Sequence, residues 1–184
     1  VPDDLRVIKT NRDIKQAFIN LLQTKGFNKI TVQDICQVAL IGRSTFYHHY
    51  VDKYDLLQKM VNQIETDFDN LLKNRLQEVA SDSLLTFLYQ SLHQHKTEFL
   101  TLIAIQVDEI NLEKGLTTII SRDLAAYLTA QSHTELPVST EFIATLYANN
   151  VLTAIKWALE HDDPDEISTF MNGIMQALTA KHLN

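Results

Sequence analysis

The chain has 184 residues, 45% of them hydrophobic, with only 4 glycines and 3 prolines; this excludes disorder and describes a folded, helix-rich protein. Its single cysteine excludes an intramolecular disulfide and a thiolate zinc cluster, and no run approaches the roughly 18 uninterrupted apolar residues of a membrane span. The net charge of −7 argues against a polyanionic partner only until it is divided along the chain: residues 1–60 carry nine Lys and Arg against six carboxylates, a balance of +3, and the remainder sums to −10.

The opening VPDDLRVIKTNRDIK has no apolar targeting core, so neither a signal peptide nor a membrane span is expected, and a reducing cytoplasm fits best. Because the sequence starts at Val1 without a methionine, a processed or trimmed start is expected, and a basic arm ahead of it would go unseen. Thr10, followed three residues later by Asp13, has the form of a capping box, and Ile14, Ala17, Phe18, Leu21 and Leu22 trace one helical stripe that stops at Gly26. Thr31 and Asp34 repeat the start signal for a short second helix carrying Val32, Ile35, Cys36 and Ala39, which ends in the Leu40-Ile41-Gly42 turn. Gly42 then caps a third helix, Arg43 to about Tyr50, although Ser or Asp would cap it better.

From Lys53 one long helix is predicted through Leu56, Leu57, Met60, Val61, Ile64, Phe68, Leu71, Leu72, Leu76 and Val79. The pattern restarts around Ser81-Asp82 with Leu84, Leu85, Leu88 and Leu92, and bends near His95-Lys96. Phe99 to Val107 is apolar on nearly every side and admits a buried helix or a strand; helices on both sides favour helix. Leu112, Leu116, Ile119, Ile120, Leu124, Tyr127 and Leu128 make the next helix, which fades over Gln131–Glu135 before Pro137. Ser139 opens a helix to about Glu160 whose apolar residues cover more than one face and call for several neighbours. Asp163-Pro164-Asp165-Glu166 starts the last helix, with Ile167, Phe170, Met171, Ile174 and Leu178 as its stripe. The expectation is an all-α fold of nine helices: a three-helix helix-turn-helix head over residues 1–55 and a body of about six helices over 56–184.

Two short helices joined by a tight turn allow the second to lie in a DNA major groove. Arg43, Ser44, Thr45, Tyr47, His48 and His49 on that helix supply one charge and many hydrogen-bonding groups, as phosphate and base-edge contacts require, while Phe46 and Tyr50 pack the opposite side. Cys36 lies on an apolar stripe and reads as core. His93 and His95 are two apart and face different sides of a helix, so no metal site and no cofactor is expected. An enzyme finds no support either, since there is no Gly-rich phosphate loop, nucleophile elbow or coupled carboxylate pair.

Residues 26–57, GFNKITVQDICQVALIGRSTFYHHYVDKYDLL, resemble the tetracycline-repressor (TetR) family through Gly-Phe after helix one, Thr-Val before helix two, Asp-Ile within it, Ser-Thr-Phe-Tyr-His-His-aromatic, and Lys-x-x-Leu-Leu. The resemblance implies a cytoplasmic, non-enzymatic DNA-binding regulator, by default a repressor, with a ligand-dependent activator as the alternative. A helical interaction module without DNA binding is the further alternative. Carried over by position, Thr31 and Gln33 would meet phosphate and the groove edge, and Arg43, Ser44, Thr45, Tyr47 and His48 would form the recognition surface. Tyr47 and Lys53 would anchor phosphates, with His49 doing likewise. Two positions depart from the family pattern: Leu40 stands where it often has Gly in the turn, and Gly42 where it often has Ser at the cap.

Beyond about residue 60 the likeness weakens, although Trp157 to Glu166 looks like the junction of the last two helices in one Gram-positive-rich subgroup. The resemblance implies a homodimer formed by the last two helices, to which Met171 and Met175 add apolar surface, on a palindromic double-stranded operator. It also implies a small-molecule effector whose binding shifts the spacing of the two heads. Tyr89, His93, Phe99, Gln106, Tyr127, Tyr147, Asn150 and Trp157 are the candidate pocket residues because they set polar groups among apolar helices.

Overall fold

The computed structural model describes residues 2–76, 84–107, 110–131 and 138–179. The expected restart at Ser81-Asp82, most of the polar stretch before Pro137, and the side chains of Met175 and Leu178 lie outside the described residues. The architecture is all-α: α1 (Pro2–Lys25), α2 (Val32–Val38), α3 (Arg43–His49), α4 (Lys53–Leu76), α5 (Leu84–His93), α6 (Lys96–Ile103), α7 (Leu112–Gln131), α8 (Thr140–His161) and α9 (Pro164–Thr179). A 3-10 turn, Phe27–Lys29, joins α1 to α2. The chain forms two compact units, Val1–Ile64 with Thr101–Asn111, and Glu65–Leu100 with Leu112–Asn184.

In the first unit α1 begins well before the start expected at Thr10. Pro2 occupies a first helical position, where its missing N–H costs nothing. Asp13 is not a cap residue; its carboxylate is taken by Lys9 at 3.0 Å and Arg12 at 3.6 Å. Ile14 and Phe18 of α1, Ile35 of α2, Phe46 of α3 and Leu56 and Leu57 of α4 are all 0% exposed. Each such side chain contributes about 1.5–3 kcal/mol when taken out of water, so residues from four helices fix this core together. Cys36 belongs to it, and burial pushes its thiol pKa up.

Thr31 and Asp34 close the reciprocal cap at the start of α2: Asp34 N donates to the Thr31 hydroxyl, and Thr31 N donates to the Asp34 carboxylate at 2.9 Å. The helix ends as its backbone turns over at Leu40, with φ of 57°; Ile41 N donates to Cys36 O at 3.0 Å and Leu40 N to Gln37 O at 3.3 Å. Those two bonds satisfy the last carbonyls in the Schellman pattern. Gly42 then gives α3 an extended cap without a side-chain hydrogen bond.

The expected helix from Phe99 to Val107 is corrected at its end. Ile105 N bonds back to Leu102 O, α6 stops at Ile103, and Val107 pairs with Ile110 in an isolated antiparallel bridge. Ile103, Ile105 and Val107 are β-branched at a spacing of two, which suits extended backbone better than a helix.

In the second unit α8 packs against α5, α7 and α9. That meets the demand of its several apolar faces: Ile143, Tyr147, Val151, Leu152, Ile155 and Leu159 are buried, and Ala144, Ala148, Ala154 and Ala158 let its neighbours approach closely. Ser139 caps α8 by accepting from Phe142 N at 3.2 Å. Among the described residues no helix is long and apolar enough to cross a membrane.

Candidate nucleic-acid interface

The two sides of α3 are chemically distinct. Phe46 is 0% and Tyr50 4% exposed, and their rings pack 5.7 Å apart in the head. The Tyr50 hydroxyl donates to Asn11 on α1, and burial pushes its phenol pKa up to about 12, so it remains a donor at every physiological pH. Turned the other way, Arg43, Ser44, Tyr47 and His48 are exposed, with Thr45 and His49 half-exposed. A helix anchored by two aromatics thus offers a guanidinium, hydroxyls and imidazoles to whatever lies outside, the donor and acceptor set that reads base edges and phosphates.

The carboxyl end of α3 is held by Lys59, whose ammonium donates to His49 O at 3.2 Å and Asp55 at 2.9 Å and lies 5.1 Å from the Tyr50 ring centroid. Burial, then the charges of His48 and Lys59, lower the His49 pKa, so this imidazole is a neutral hydrogen-bonding group near pH 7. Asp52 begins α4 by accepting from Tyr54 N and Asp55 N, each at 2.8 Å. Lys59 escaped the sequence reading because its partners lie on another helix; Asp52-x-x-Asp55 carried a visible cap signal.

On α2, Thr31 and Gln33 are exposed beside α3, with the Thr31 hydroxyl engaged in the cap. Lys25 reaches Asp34 at 2.7 Å; that bond, with those from Thr31, lowers the Asp34 pKa to about 2. Lys53 is placed differently from the other candidates. Its ammonium donates to the carbonyls of Phe27 at 2.9 Å, Asn28 at 3.3 Å and Ile30 at 2.8 Å, and lies 4.6 Å from the Phe27 ring centroid. It caps the turn between α1 and α2, and reaching a phosphate would require leaving those carbonyls.

The candidate pocket residues are divided between the two units, Gln106 in the first and the others in the second. Tyr89 and His93 meet at Asp162, the left-handed cap of α8, where the Tyr89 hydroxyl donates at 3.4 Å and His93 Nε2 lies at 3.1 Å. Lys96 joins them at 2.9 Å. Phe99 and Tyr147 are buried, and burial raises the Tyr147 phenol pKa; Tyr127 is half-buried. Gln106 is exposed in the first unit, and Asn150 and Trp157 face outward on α8, Trp157 stacked on His161 at 4.1 Å. Among the described residues no group of three or more His, Cys, Asp or Glu is placed to hold a metal ion.

Residues 16–60, from the second half of α1 through α3 to the start of α4, match the bacterial regulatory proteins of the tetR family. The chain's helix-turn-helix segment is that of the TetR family. Its TetR-like fold extends through the body: the TetR transcriptional regulator from Streptococcus agalactiae 2603V superposes with a TM-score of 0.63 at 26% identity, covering 92% of this chain and 97% of that one. The HTH-type transcriptional regulator YxbF of Bacillus subtilis is 39% identical over 61 residues, 33% of this chain and 16% of its own length. The HTH-type dhaKLM operon transcriptional activator DhaS of Lactococcus lactis is 36% identical over 67 residues, 36% of this chain and 34% of its own. The chain therefore spans about a third or less of the length of these two curated relatives. The TetR family is one of helix-turn-helix regulators, not of enzymes.

Proposed function

We propose that this protein is a homodimer that binds a palindromic double-stranded operator, represses by occupying it, and is released by a small-molecule effector taken up in the body. The observation that carries the proposal is the division of α3 and its cap: Phe46 and Tyr50 are buried while Arg43, Ser44, Tyr47 and His48 face outward, within a stretch, residues 1–60, that carries +3 on an otherwise acidic chain. Thr31, Gln33, Thr45 and His49 complete the DNA-facing set, and Lys53 supports it by holding the preceding turn. Repression needs DNA occupancy alone, whereas activation needs a further contact to the transcription machinery.

The dimer reading draws on an unpartnered face in the second unit. Phe142, Leu146 and Trp157 on α8 are 57%, 48% and 40% exposed, and at 100° per residue they fall within a face of about 60°. Phe170 on α9 is 65% exposed. Aromatic and aliphatic surface of this extent on a soluble fold is characteristic of an interface.

Capture of genomic fragments by the purified protein tests the proposal. It expects recovery of a palindromic site; weak, salt-abolished capture without sequence preference would contradict it. The likeness of the head to DhaS, an activator, favours activation as a second reading. Transcription from the recovered promoter distinguishes the two: added protein lowers output for a repressor and raises it for an activator.

A further inference from the structure

A side-chain hydrogen bond crosses from α2 to α3: Arg43 Nη2 donates to Gln33 Oε1 at 2.8 Å. Both side chains are exposed on the surface that includes the outward groups of α3. The acceptor is a neutral amide, although a carboxylate stands next to it in sequence. Asp34 is already held by Lys25 at 2.7 Å and by the Thr31 backbone and hydroxyl, which leaves Arg43 its full positive charge.

The two ends of this bond are unequally anchored. Gln33 stands in the first turn of a helix whose start is locked by the reciprocal Thr31–Asp34 cap. Arg43 opens α3 behind Gly42, which provides no side-chain cap. A long arginine there has many rotamers, and only a few point its fork into a groove. A guanidinium has five N–H donors, so one given to Gln33 leaves most of the fork for a guanine edge.

We propose that Gln33 is a positioning residue for base readout: its amide oxygen holds the Arg43 guanidinium so that the fork meets a guanine and does not swing to the phosphates. The proposal rests on the DNA-binding reading above and adds the element that sets its specificity at one base pair.

The test is selection from a random duplex library by the native protein and by Gln33→Ala, Gln33→Glu and Arg43→Ala, with thermal unfolding of each. Arg43→Ala is expected to erase the preference for one guanine in each half-site, a preference of about tenfold or more. Gln33→Ala is expected to weaken preference at that same position to about threefold or less, leaving other positions and the melting midpoint unchanged. Gln33→Glu pairs its carboxylate with Arg43, so binding weakens on every sequence and the salt slope falls by about one. A change at a different base pair in Gln33→Ala, or none at the Arg43-dependent one, overturns the proposal. Selection of no sequence by the native protein overturns the DNA reading itself and this inference with it, before any variant is made.

Discussion

Leu40 holds φ of 57° with its side chain 91% exposed, so it bears a left-handed backbone without gaining burial. That conformation costs a residue with a Cβ about 1–2 kcal/mol, and glycine returns part of the gain through the freedom of its unfolded state. Leu40→Gly is therefore expected to stabilise the protein by about 0.5–1 kcal/mol, read as a higher urea midpoint at unchanged slope; a lower midpoint would show that Leu40 has a packing role. The departure was visible as a Leu in the family's Gly position, but its backbone angle was not. Asp34 provides the second test at this scale. Its folded pKa of about 2 lies below the ordinary 3.8, so its stabilisation is complete above 3.8 and is lost as pH falls towards 2. The stability gap between the native protein and Asp34→Asn should be steady near neutrality and narrow below about pH 4; a gap independent of pH would contradict the assignment. The Thr31–Asp34 cap was legible from spacing, whereas Lys25 as its partner depends on how α1 meets α2.

Helix α7 carries its own test at Gly115, where an added Cβ would stand 1.7 Å from Glu65 Oε1. The atom in the way is the far end of a flexible side chain, and burial raises the Glu65 pKa. Gly115→Ala is expected to drive that carboxylate into water while gaining up to about 1 kcal/mol of helix propensity. A raised folded pKa gives stability that is full below the ordinary 4.5 and declines as pH rises through the folded value. The advantage of the alanine variant should accordingly grow between about pH 4 and pH 7 in paired unfolding experiments; destabilisation at pH 7 would refute this account of α7. Periodicity located α2, α4, α7 and α8 because each buries a stripe. It missed the beginning of α1, where Leu5 and Ile8 are 73% and 57% exposed and no buried stripe exists to be read. The outward side of α3 was readable because Phe46 and Tyr50 mark its inner side. The bonds of Lys53 to Phe27, Asn28 and Ile30 were not, since they join segments more than twenty residues apart.

For the whole molecule, the basic balance of the head and the acidic balance of the remainder bias which end a polyanion meets, and the exposed face of α8 and α9 bears on the number of heads presented. If that face joins two copies, Trp157→Asp with Phe170→Asp should halve the sedimenting mass and weaken binding to a two-half-site duplex far more than to a single half-site. An unchanged mass would place the dimer elsewhere or exclude it. The candidate pocket was the least legible part of the sequence: buried tyrosines and exposed amides share the same polar-among-apolar pattern, and burial alone separates Tyr147 from Asn150.

The most direct test of sequence reading by α3 is the affinity for the selected duplex and for a scrambled one across a salt series, measured for the native protein and for a variant with Arg43, Ser44 and Tyr47 changed to alanine. The account expects the native protein to prefer the selected duplex by about a thousandfold or more, and the folded variant to bind both duplexes alike. Equal preference in the native protein and the variant would contradict it.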